Sequence, residues 1–137
     1  MPLLHRLTVA FLGVLAVAPG AVAQADWRPK PEPQEWQQLR AQYLPEPGWQ
    51  FMDAIRNARV AAAEYIRTPR AVADTMELDA GLLLKTTGPD EWSSKVVPMR
   101  ALCSDGRLER RASDGTWSAY PSRPDTAVKV RWICSRP

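Results

Sequence analysis

Two cysteines, one histidine and a few neighbouring carboxylates and serines carry the chemical potential of this 137-residue chain. The histidine, His5, falls inside an apolar N-terminal run that reads as a removable leader, which leaves the mature chain without imidazole. Ser-His-Asp and Cys-His mechanisms, His-ligated zinc and haem are then all excluded. Ser93-Ser94-Lys95 lacks the Ser-x-x-Lys spacing, and adjacent side chains on an extended segment point to opposite faces. Asp90-Glu91, or Asp74, Glu77 and Asp79, would supply the two carboxylates of a small glycan hydrolase, but any acidic surface offers such pairs. The 74–79 cluster lacks the alternating ligands and central glycine of a calcium loop, and no Gly-rich phosphate loop is present. The residue types therefore predict no catalytic residue, no metal site and no cofactor.

Cys103 and Cys134 are spaced for structure. They show neither CxxC spacing nor an evident helix N-terminus that would activate a thiolate. In an oxidising compartment they are expected to form one disulfide, tying the end of the chain to the strand before Asp105-Gly106.

The compartment follows from the first residues. His5 and Arg6 precede an unbroken apolar stretch from Leu7 to Ala18. Ala21-Val22-Ala23 and Ala23-Gln24-Ala25 then offer two overlapping cleavage sites. The expected organisation is a signal peptide over 1–23, a Pro-rich leader over 24–33 and a single domain over 34–137. The product should be periplasmic or secreted, and the apolar run is shorter than the ~20 residues of a permanent span. Losing Arg6 leaves 17 Lys and Arg against 15 Asp and Glu, too balanced for binding nucleic acid by counterion release. A protein or glycan partner in the envelope fits better. Nothing in the sequence indicates an oligomeric state.

The expected strands after Asp105-Gly106 carry five cations: Arg107, Arg110, Arg111, Lys129 and Arg131. If their strands pair, Arg107, Arg110, Arg111 and Arg131 share one exposed sheet face, the candidate binding surface. The 6 tryptophans mainly suit a small core, with Trp49, Trp92 or Trp117 as the alternative, a platform for a small ligand.

These side chains need elements to hold them. Pro33 followed by Trp36, Leu39, Tyr43 and Leu44 predicts a helix from Pro33 to Leu44, stopped by Pro45-Glu46-Pro47-Gly48. Met52, Ile55, Ala62 and Ile66, with further alanines, predict a second helix over 49–66, ended by Thr68-Pro69. Strands are expected over 82–87, 96–103, 107–112 and 116–120, with tight turns at Asp105-Gly106 and Asp114-Gly115. Pro98 places the second of them at an edge or starts it late. Val128, Val130, Trp132 and Cys134 alternate with Lys129 and Arg131, which predicts a final strand with one buried and one wet face. The expected fold is α+β, with N-terminal helices packed on a small antiparallel meander closed by one disulfide.

The second half also resembles the surface-adhesin E family of small exported bacterial proteins. The resemblance rests on Ala73-Asp74-Thr75, Gly81 to Leu84, and Ser94 to Cys103 with Arg107, Arg110 and Arg111 following. Trp117 and the near-terminal Cys134 complete it. It covers roughly residues 74–134; the segment from Pro33 to Ile66 has no counterpart. It implies a small antiparallel sheet with an adhesive or envelope-associated role, and no catalytic residues. The expected function is therefore a non-enzymatic exported protein that acts by binding another macromolecule.

Overall fold

In a computed structural model, which describes residues 27–86 and 91–137, two short helices flank six strands. The signal peptide, both cleavage sites and Asp90 lie outside the described residues. The order is α1 (Gln34–Tyr43), β1 (Gln50–Arg56), β2 (Val60–Val72), β3 (Thr75–Thr86), β4 (Ser93–Leu102), β5 (Arg107–Arg111), β6 (Trp117–Ala119) and α2 (Thr126–Cys134). The strands form one antiparallel sheet in chain order.

Local turn chemistry explains that order. Asn57 Oδ1 accepts from the Arg59 and Val60 amides and folds β1 onto β2. Ala73-Asp74 joins β2 to β3, with Ala73 in the left-handed region at φ 53°. The Leu102 carbonyl accepts from Asp105 and Gly106, and Gly106 takes φ 66°. Asp114 Oδ1 accepts from the amide and hydroxyl of Thr116 around Gly115, at φ 89°. Both Asp-Gly turns fall where the sequence puts them.

The expected α+β architecture is overturned. The fold is mostly antiparallel sheet, with only two short helices, one before the strands and one after them. The Pro33 carbonyl accepts from Trp36 and Gln37, and α1 then runs as its spacing predicts. The second predicted helix is instead the β1–β2 hairpin. Burial along β2 alternates through Ala61, Ala63 and Tyr65, with Ile66 buried on the other face, but Ala62 between them makes the run read as continuous alanine, so the sequence shows no period-two pattern. The predicted last strand is instead α2, whose buried side chains Thr126, Lys129, Val130 and Ile133 keep helical spacing. Pro98 sits where β4 lacks an outer neighbour among the described residues, because β5 pairs only with Met99–Leu102.

Two cores lie on opposite faces of the sheet. On one, Trp36 of α1, Leu44 and Trp49 cover Phe51, Ala61, Ala63, Tyr65 and Leu83. On the other, Val130 and Ile133 of α2 cover Met52, Ile66, Met76, Leu78, Met99 and Ala101. The helices thus cap opposite faces at offset positions, instead of sharing one. The Cys103–Cys134 disulfide ties the end of α2 to the β4–β5 turn.

Candidate functional site

The helices leave half of the α1-side face open, and strand register fills it with charge. Arg70 on β2 lies opposite Glu77 on β3, Glu77 opposite Arg100 on β4, and Arg100 opposite Glu109 on β5. Four strands therefore present one row of alternating charges. Arg70 pairs with Glu77 at 3.1 Å, and Arg100 Nε with Glu109 Oε1 at 2.7 Å. One step along, Arg67 meets Asp79 at 3.4 Å and lies 4.8 Å from the Trp49 ring centre.

On the three-residue edge strand β6, Ala119 lies opposite Glu109, and Trp117 shares the same face opposite Arg111. The guanidinium carbons of Arg100 and Arg111 stand 4.4 and 6.0 Å from its ring centre. Both indole and guanidinium are held by this stacking, and neither helix packs over them. Val72 and Val96, two of the most exposed large aliphatic residues, share the same face by register, opposite Thr75 and Gly81.

The four predicted arginines are only partly brought together. Arg107 and Arg111 share the open face with Glu109, as alternation along β5 requires. Arg110 points to the opposite face, the side of Leu108, which packs under α2. Arg131 belongs to α2 and lines a separate cleft beside Trp27. Sequence reasoning missed Arg70, Glu77 and Arg100, because only the pairing register aligns them. Trp49 is buried, and Trp92 packs edge to face on Trp36 at 5.5 Å, so neither offers a free ring.

Of the carboxylates named for hydrolysis, two are committed to ion pairs, and Glu91 is exposed. Glu77 and Asp79 accept from arginines, Asp74 occupies a turn, and Ser93 Oγ donates to the Leu84 carbonyl. The densest cluster of acids surrounds Lys129, whose Nζ reaches Asp125 at 2.9 Å, Asp53 at 3.1 Å and Glu64 at 3.2 Å. Burial alone would lower the lysine's pKa. The hydrogen bond to Asp125, the Glu64 charge and Asp53 outweigh it and hold the pKa above the ordinary lysine value. The same hydrogen bond holds Asp125 below the usual aspartate range. An ammonium fixed in this state clamps α2 to β1 and β2, and is no nucleophile. Among the described residues no group of His, Cys, Asp and Glu is arranged to hold a metal ion.

No family model, no curated protein and no solved structure matches the chain.

Proposed function

We propose that the chain is an exported, non-enzymatic binding protein of a bacterial envelope, and that it docks an acidic protein partner through the open face of its sheet. The observation that carries this reading is Trp117, held on an uncovered strand edge beneath Arg100 and Arg111. Tryptophan and arginine dominate the energetics of protein interfaces, and a rigid sheet presents them at little ordering cost. The charge favours an acidic partner. Glu77 and Glu109 are already held by arginines, whereas Arg111 has no carboxylate partner among the described residues. A structural disulfide and a leader-like N-terminus both suit an oxidising compartment outside the cytoplasm. The resemblance to the surface-adhesin E family points the same way.

The test is capture from intact cells by cross-linking, with the tagged wild-type chain set beside Trp117→Ala and Arg111→Glu. One dominant envelope protein, lost from both variants while their melting temperatures stay near wild type, is the expected result. Equal capture by all three chains would remove this face from the reading.

A further inference from the structure

The sheet has edge at β1, at β6 and along the first half of β4, because β5 pairs with β4 only over Met99–Leu102. The first two are guarded. On β1 the outward amide of Ala54 donates to Asp53 Oδ1, the Phe51 carbonyl accepts from Gln50 Nε2, and Pro31 and Pro33 line the groove beside the strand. β6 is only three residues long. On β4, Ser93, Ser94, Lys95 and Val96 are all exposed, Val96 to 43%.

The neighbouring ladders fix which main-chain groups of this stretch face outward. Ala112 donates its amide to the Thr116 carbonyl and Tyr120 donates to Leu108, so Leu108 and Arg110 bond toward β6, and Arg107 and Glu109 toward β4. Glu109 lies opposite Arg100, and β4 pairs with β3 without a register shift. Alternation from Arg100 therefore turns the N–H and C=O groups of Ser94 and Val96 away from β3. No hydrogen bond engages them among the described residues. Pro98 has no N–H and ends the run.

Lys95, between those two residues, decides the occupant. Lysine on a sheet edge guards against pairing with another copy. The two-fold register that joins Ser94 of one copy to Val96 of a second sets their Lys95 side chains directly opposite each other, which is unfavourable. A strand that carries a carboxylate at that place reverses the sign. We propose that the Ser93–Val97 edge of β4 is a strand-addition site for an extended, acid-bearing segment of a partner protein. The segment bonds through its main chain to Ser94 and Val96, sets a Glu or Asp opposite Lys95, and places an apolar side chain beside Val96. This inference rests on the reading of an acidic partner and names how its chain joins the sheet. The edge is tested apart from Trp117, so its failure leaves the Trp117 face standing.

Purified protein with its disulfide intact would be titrated with the capped pentapeptide Thr-Val-Glu-Val-Thr, whose glutamate falls opposite Lys95, to roughly ten millimolar. The backbone amide resonances of Ser94 and Val96 report the edge, and the Trp117 indole resonance reports the other surface. Saturable shifts of Ser94 and Val96 are expected, with Trp117 unmoved. Thr-Val-Lys-Val-Thr should bind about fivefold more weakly, and the exposed substitution Lys95→Glu should invert that preference without altering the remaining spectrum. The glutamate peptide N-methylated at both valines should not bind, because it cannot donate to the Ser94 and Val96 carbonyls. Absence of the shifts, equal binding of the methylated peptide, or equal affinity for the two charge versions would each overturn the assignment. So would sedimentation that finds the free protein already dimeric in wild type and monomeric in Val96→Pro, which would give the edge to a second copy.

Discussion

Lys129 Nζ, on the last helix, lies 3.2 Å from Glu64 Oε2 in β2, across 65 positions of chain. Asp53 and Asp125 complete the shell, and Arg123 holds the other Glu64 oxygen at 3.2 Å. This buried cation joins the helix to the first two strands. Lys129→Met keeps the length of the side chain but leaves Asp53 and Asp125 without their cation. Because the carboxylates are partly solvated, the expected loss is about 2 kcal/mol, between surface and fully buried pairs. Urea unfolding measures it, and an unchanged midpoint would deny the clamp its role.

The clamp also sets a pH window. Asp125 has a depressed folded pKa, so its contribution is present above the unfolded value of about 3.9 and fades as pH falls through the folded one. Lys129 has a raised folded pKa, so its contribution is present below about 10.4 and fades as pH rises through the folded one. Thermal melts of wild type and Asp125→Asn should therefore differ most between about pH 4 and pH 10, and converge on both flanks. A gap that stays constant into strong acid would contradict the assignment.

Gly81 serves the other core. A Cβ there would stand 3.0 Å from Trp49 Cζ3, 3.1 Å from Trp49 Cη2 and 3.1 Å from Leu44 Cδ1. The bare backbone is what lets the indole lie against β3. Gly81→Ala is expected to cost about 1–2 kcal/mol, as overpacking outweighs the smaller backbone entropy loss of alanine. A denaturant midpoint at or above wild type would mean that the indole has room to move.

Reduction should weaken the fold without dissolving its hairpins, whose turns are hydrogen-bonded locally. The bridge spans 31 positions, for which chain entropy gives about 3–4 kcal/mol. Cys103→Ser/Cys134→Ser should lose that much in urea unfolding. The oxidised protein should yield no labelled thiol under denaturing, non-reducing conditions; a labelled cysteine would show the bridge incompletely formed.

Turns were legible in the sequence, and faces were not. Asp105-Gly106, Asp114-Gly115 and the α1 spacing are local signals, and those two turns and that helix formed at their places. The β1–β2 hairpin escapes the sequence because Ala61, Ala62 and Ala63 read as one helix-favouring run, although only Ala61 and Ala63 are buried and the burial alternates as in a strand. The α2 segment was misread for the opposite reason. Its alternation is real, but Lys129, assigned to the wet side, is buried because three acids from β1, β2 and α2 itself converge on it. The arginine face suffered likewise: alternation along β5 separates Arg110 from Arg107 and Arg111, and Arg131 left the sheet once its strand became a helix. Charge partners distant in sequence settle which side of an element faces inward, and no short window contains them.

The meander is finished before its cover arrives. A chain halted ahead of Thr126 would hold all six strands, yet Met76, Leu78, Met99 and Ala101 would lie bare. Residues 126–137 therefore supply the cover of the second core, and any loosening of α2 would open a strip of β3 and β4 that exposes apolar side chains to solvent.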